Sequence, residues 1–207
     1  MFLFNEKKCA DICLKNTNKY VFKAVNDLIS DFERVSTFGV KPKIVKKVTQ
    51  NCIIIEENTR TSAEPVADES YSITTENGNI VIRANGYLGT MWGIYTLSEK
   101  FLDVDPCYLF NDLAIVKKNA VELSEVDIAD KPDGFGFRGV FINDEDLLQG
   151  WKDGGGARLV GGGYYYVTVA KTVIKKVVET VLRLKLNLVI PATFIDLDTP
   201  PEKDLAD

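Results

Sequence analysis

"FRGVFINDEDLLQGW", residues Phe137 to Trp151, runs an apolar strand, Val140-Phe141-Ile142, directly into Asn143-Asp144-Glu145-Asp146 and on to a tryptophan. Three carboxyls beside a hydrophobic strand are costly to bury without partners, so the pattern predicts that they lie at the strand's solvent-facing end. Downstream, Ala170, Val173, Ile174, Val177, Val178, Val181 and Leu182 recur at helical spacing, opposite a face of Lys171, Lys175, Lys176, Glu179 and Arg183. Asn187 is placed to cap that helix, and Leu188-Val189-Ile190-Pro191 follows as a second wholly apolar strand. Strand, helix and strand of this kind predict a βαβ unit in a parallel sheet, which buries both faces of its strands. The acids then fall at the carboxyl end of a parallel strand, the edge where α/β sheets and barrels gather binding and catalytic groups. Asp196 and Asp198, beyond the second apolar strand, repeat the arrangement.

From Gly139 onward the chain supplies 69 residues, whereas a complete (β/α)₈ barrel takes roughly 250. The expectation is an incomplete barrel, its sheet completed by the first domain, by further chain or by self-association into a homo-oligomer. A carboxylic acid and a carboxylate on either side of a glycosidic bond suffice for hydrolysis without histidine. The same Asn-Asp-Glu run also suits the first turn of a helix, where acids oppose the helix dipole. Trp151 reads equally as packing beneath the loop or as an apolar face for a sugar ring.

Two glycine patterns carry less. "GFGFRG" (Gly134 to Gly139) matches G-x-G-x-x-G, but it follows a polar linker and opens a strand, the reverse of a dinucleotide site. "DGGGARLVGGG" lacks the Gly-Lys-Ser/Thr ending of a phosphate loop, and it reads as a surface loop lying over a site. Tyr164-Tyr165-Tyr166 is expected to pack around a helix start.

Composition narrows the chemistry. The net charge of −5 and pI near 5.0 argue against nucleic-acid partners, which need clustered basic residues. No apolar run approaches the roughly 20 residues that cross a bilayer, and the N-terminus lacks the basic start, apolar core and cleavage site of an export signal. The expectation is a soluble, cytoplasmic protein with no membrane partner. The sequence contains no histidine, so a Ser-His-Asp or Cys-His nucleophile system cannot be assembled from it. Cys9, Cys13, Cys52 and Cys107 show no Cys-x-x-Cys pairing and read as free thiols, with no metal and no cofactor expected.

Upstream, a short strand at Phe2-Leu3-Phe4 precedes a helix predicted over about Lys19 to Phe38, stopped by Gly39. Strands are expected at Ile44–Val48, Cys52–Glu56 and Tyr71–Thr75, with "ENGN" (Glu76 to Asn79) turning the last into Ile80–Ala84 as a tight hairpin. "GTMWGIYTLSEKFL" then forms a helix that ends before Asp105-Pro106. The chain accordingly divides into an α+β domain over residues 1–130 and, after the linker "DIADKPDGFGFRG", the start of a TIM-type barrel over 131–207.

These segments, taken together, resemble glycoside hydrolase family 115, the xylan α-1,2-glucuronidases. Arg138-Gly139-Val140-Phe141-Ile142-Asn143-Asp144-Glu145 is similar to the Arg-Gly-(Ile/Phe)-Phe-Ile-Asn-Asp-Glu strand that opens the family's barrel, followed by Gly150-Trp151. "VLRLKLNLVIPATF" (Val181 to Phe194) looks like the family's next helix and strand, and Leu88 to Glu99 is similar to its "RGTIYGIYDLSE". Two departures stand out: Asp105 to Phe110 replaces a Ser-Pro-Trp-Tyr-Trp-type run, and Phe194 stands where tryptophan is usual. The resemblance implies an α/β fold, an N-terminal domain like those preceding other glycosidase barrels, then the first barrel strands. It implies a carbohydrate substrate, glucuronoxylan or its oligosaccharides, the alternative expectation being a non-catalytic carbohydrate-binding or protein-interaction module. It also implies Asp144 and Glu145 as acid-base candidates, and Asn143, Trp151 and Arg138 as substrate-binding candidates. A basic residue such as Arg138 or Arg158 would suit the uronate carboxylate, which a bidentate guanidinium matches.

Overall fold

A computed structural model describes residues 1–58, 68–132, 134–143, 148, 158–161, 164–167 and 170–190. The chain divides into two compact units, Met1–Gly134 and Phe135–Asp207.

The first unit contains β1 (Phe2–Phe4), β2 (Asp11–Lys15), helix α1 (Phe22–Val35), β3 (Ile44–Val45), β4 (Cys52–Asn58), β5 (Tyr71–Glu76) and β6 (Asn79–Asn85). Helix α2 (Gly86–Leu102), β7 (Val121–Glu122) and β8 (Asp127–Asp130) complete it. Six strands form one sheet in the order β3-β2-β4-β6-β5-β8, while β1 pairs with β7. β3, β2, β4 and β6 run parallel, and β5 runs against both β6 and β8, so β8 points the same way as β6.

Alternation along the strands gives the sheet two different faces. Ile12, Ile53, Ile55, Ile80, Ile82 and Ile73 are register neighbours on one face and are fully buried. α2 covers this face at close range: a Cβ at Gly93 would stand 2.6 Å from Ile82 Cγ2, and one at Gly89 would stand 2.8 Å from the Ser70 carbonyl oxygen. α2 buries residues on every side, Trp92 completely, the pattern of a core helix rather than a surface one. α1 is joined to it by buried polar bonds. The Tyr95 hydroxyl donates to Asp27 and the Ser98 hydroxyl to Asp31, each at 2.6 Å.

Several expected elements hold with shifted ends. The Asn77-Gly78 turn has positive φ at both residues (49° and 74°), the geometry that a tight right-twisted hairpin requires. The helix predicted over Lys19–Phe38 resolves into a 3₁₀ turn at Lys19–Val21, with the Asn18 side chain accepting the Tyr20 N–H, followed by α1. It ends before Ser36, whose hydroxyl accepts the Phe38 N–H, so the stop comes three residues ahead of Gly39. Only Ile44–Val45 of the predicted Ile44–Val48 strand is paired. "DIAD" is not linker: it forms the edge strand β8, held to β5 by ladder pairing and by the Tyr71 hydroxyl donating to Asp130 at 2.7 Å.

In the second unit, β9 (Gly139–Phe141) and β12 (Leu188–Ile190) pair in parallel, Gly139 opposite Leu188 and Phe141 opposite Ile190. Helix α3 (Lys171–Arg183) packs one face of this pair, placing Ile142, Val177 and Val181 in a cluster with Val140, Val189, Ile174 and Leu186. The glycine-rich stretch is not only loop. β10 (Arg158–Gly161) and β11 (Tyr164–Val167) form an antiparallel hairpin within it. Tyr164 to Tyr166 are therefore strand residues, in keeping with the β preference of aromatic residues. Asn187 does not cap α3. The helix closes through Lys185, whose φ is 59°, and through the Leu186 N–H bonding to the Val181 carbonyl at 3.0 Å.

Candidate active site

The apolar strand of the opening motif is fixed by its neighbour. Gly139 lies so close to β12 that a Cβ there would meet the Leu188 carbonyl oxygen at 2.1 Å, so only glycine permits this parallel approach. The Ile142 N–H donates to the Ile190 carbonyl at 3.0 Å, extending the ladder one step past β9. Asn143 follows immediately and is exposed at the carboxyl end of the strand pair. Ile142 and Leu148, which flank the acidic run, both pack against α3.

Arg138 stands at the opposite end of β9. Its N–H bonds to Asn187 Oδ1 at 2.9 Å, while its carbonyl accepts the N–H groups of Asn187 and Leu188. Its guanidinium donates to the Phe135 carbonyl at 2.7 Å and twice to the Lys185 carbonyl, at 3.2 and 3.3 Å. Asn187 Nδ2 adds a bond to the Gly136 carbonyl at 2.9 Å. Arg138 and Asn187 together staple the entry of β9 to the exit of α3, so Arg138 and Asn143 occupy opposite ends of the strand. Arg158 belongs to β10. Asp144, Glu145, Trp151, Asp196 and Asp198 lie outside the described residues.

A second constellation sits in the first unit, around the carboxyl ends of β4, β6 and β8. A depression of about 650 Å³ is lined by Asn58, Ser72, Arg83, Asn85, Asp130 and Lys131 among others. Arg83 is held between Glu56 (3.0 Å) and Glu76, which it binds in bidentate fashion with one bond at 2.9 Å. The Arg83 guanidinium and the Thr74 hydroxyl pull the Glu76 carboxyl down to about 2, and Arg83 itself is held above its ordinary value by Glu76. Asn58 Nδ2 donates to Asn85 Oδ1 at 3.3 Å and Asn85 Nδ2 to Asp68 Oδ2 at 2.8 Å. Hydrogen bonds from Ser70 and Asn85 keep Asp68 below the usual carboxylate range. Sequence reading missed this cluster, although its signal was present: Glu56 and Asn58, Arg83 and Asn85, and Ser72, Thr74 and Glu76 are every-second-residue polar positions on three paired strands. Among the described residues no group of three or more His, Cys, Asp or Glu side chains is placed to hold a metal ion.

Residues 130–207 match the family model described as glycosyl hydrolase family 115, a stretch that takes in β9, the acidic run, α3 and β12. In this segment the chain is similar to glycosyl hydrolase family 115. The solved structures agree on the fold. A family GH115 4-O-methyl-α-glucuronidase, BtGH115A, described as specific for decorated arabinogalactans, superposes with a TM-score of 0.69 at 19% identity. The match covers 95% of this chain and 27% of that one. A GH20 exo-β-N-acetylglucosaminidase from Vibrio harveyi gives a TM-score of 0.52 at 16% identity, over 90% of this chain and 22% of that one. A Flavobacterium johnsoniae chitobiase gives 0.51 at 18%, over 90% and 31%. The chain thus spans about a quarter of the length of the glycosidases it resembles. No protein of curated description matches it in sequence.

Proposed function

We propose that this chain is the N-terminal portion of a glycoside hydrolase that removes glucuronic acid or its 4-O-methyl ether from xylan side chains. The observation that carries the reading is the family match over the segment whose apolar parallel strand β9 is followed in sequence by Asn143-Asp144-Glu145. Asp144 and Glu145 are the acid-base pair in this reading, because two carboxyls complete glycoside hydrolysis and the chain has no histidine. Asn143 and Trp151 would contact the sugar, and Arg138 would hold the strand they extend from. The second unit would form the first βαβ step of a barrel. The exposed side chains of Phe141, Leu188 and Ile190 on the strand face away from α3 support this, since parallel strands are stable when covered on both faces.

In the enzyme that carries this segment in its full length, Asp144→Asn and Glu145→Gln are each expected to lower release of glucuronic acid from glucuronoxylan by roughly 10²–10⁴-fold, with folding unchanged. The 207-residue chain alone is expected to release none. Full activity in both variants would sink the assignment, and stoichiometric turnover by the short chain would show that the site is complete without further strands.

A further inference from the structure

We propose that the polar depression on the first unit is a binding site for a neutral, hydroxyl-rich saccharide. It rests on Met1–Gly134 alone and stands apart from the hydrolytic reading. Three of its residues, Asn58, Asn85 and Asp130, are the last residues of β4, β6 and β8, strands that point the same way. The carboxyl ends of co-directional strands are where open α/β sheets place their ligands. At about 650 Å³ the space falls within the range of small-molecule sites.

The chemistry of the lining selects the ligand class. Of the charged lining residues, Arg83 is already paired with Glu56 and Glu76 beside the depression and Lys131 follows Asp130, so no uncompensated positive charge is left to select uronates or phosphates. A bare cation fits poorly as well, because amide and guanidinium N–H groups face the same space. Arg83 uses three of its five N–H donors on Glu56 and Glu76. Asn58 and Asn85 each use one of two amide hydrogens. Asn58 Oδ1, the Ser72 hydroxyl and the Lys131 ammonium have no hydrogen-bond partner among the described residues. Donors and acceptors therefore remain side by side on a scaffold already held in place by its internal bonds. Sugar hydroxyls, which donate and accept at once, use both. The one aromatic residue in the lining, Tyr71, is buried with its hydroxyl bonded to Thr96 and Asp130 and offers no stacking platform, so binding is weak, on the order of millimolar.

The test is a titration of the ¹⁵N-labelled 207-residue chain with xylotetraose, and separately with glucuronate. Xylotetraose is expected to shift the amides of Ser72, Asn85, Ala129 and Lys131 saturably, and glucuronate to do so at least tenfold more weakly. Ser72→Trp, which fills the depression from β5, should abolish the effect with the circular dichroism spectrum unchanged. Should that variant misfold, Asn85→Ala, expected to weaken binding at least threefold, carries the test. Absence of saturable shifts at these amides, tighter binding of glucuronate, or undiminished binding in the folded variants would overturn the proposal. Since no turnover is measured, none of these outcomes bears on the hydrolytic site.

Discussion

Gly139→Ala places a methyl group where the structure leaves no room for one. The added Cβ would stand 2.1 Å from the Leu188 carbonyl oxygen, 2.6 Å from Leu188 Cβ and 2.7 Å from its carbonyl carbon. Restoring an ordinary contact near 3.4 Å requires the strands to part by about 1.3 Å. Backbone on both sides makes this relief unavailable through rotamer change. The bonds at risk are those of Asn187 N–H and Leu188 N–H to the Arg138 carbonyl (2.8 and 3.0 Å) and of Ile142 N–H to the Ile190 carbonyl (3.0 Å). At about 0.5–1.5 kcal/mol each, their loss amounts to roughly 1.5–4.5 kcal/mol. That energy corresponds to roughly a tenfold to thousandfold acceleration of amide exchange at Ile142 and Leu188, read by hydrogen exchange with NMR or mass spectrometry. Gly136→Ala is the control, because nothing lies within 4 Å of a Cβ at that position. Exchange at Ile142 and Leu188 within a factor of two of wild type in Gly139→Ala would refute the steric reasoning, and so would equal effects in the two variants.

Two further outcomes follow from the first unit. Ser98→Ala removes the hydroxyl that bonds at 2.6 Å to the fully buried Asp31, which also receives Arg34 at 3.1 Å. A lost bond to a buried carboxylate costs about 1.5–3 kcal/mol, so Tm should fall by roughly 3–12 °C, and a change below 1 °C in a thermal melt would count against it. Glu76, held near 2 instead of its ordinary 4.5, takes up its proton later in the folded chain than in the unfolded one. Its stabilisation is therefore present above pH 4.5 and fades as the pH falls toward 2. Glu76→Gln should flatten that part of a urea-midpoint profile against pH, and an unaltered slope would show that the Arg83 pairing is not its source.

The helices, the Asn77-Gly78 hairpin and the β9–α3–β12 unit were legible because each carries a strong local signal: long apolar periodicity, a turn dipeptide, or apolar runs bounded by glycine and proline. β2 escaped although it is central to the sheet, since "DICLK" offers only five residues and begins and ends in charge. Its strand character comes from pairing with β3 and β4, which no local window contains. β8 was hidden for the opposite reason: it is an edge strand whose acidic residues face water, so its composition matches that of a linker. At the site, the sequence indicated a strand ending in Asn143 and the acids, and the structure places that strand end and the exposed Asn143. Asp144, Glu145 and Trp151 lie outside the described residues. What the sequence could not disclose was the fastening of Arg138, because its partners, Phe135 and Lys185, are backbone carbonyls, and any residue type supplies one of those.

Gly89 and Gly93 sit one helical turn apart on α2, Gly89 pressed against the Glu69 and Ser70 backbone that leads into β5 and Gly93 against Ile82 of β6, with no space for a β-carbon at either. In a saturation mutagenesis survey scored by growth or by secreted yield, both positions would show intolerance as severe as that of a nucleophile. Their constraint is one of packing, and a map of fitness alone would not tell it from a catalytic one. Scoring the same library for abundance as well as turnover would separate the two: the glycine variants should vanish from both readouts, and true acid-base variants from only one.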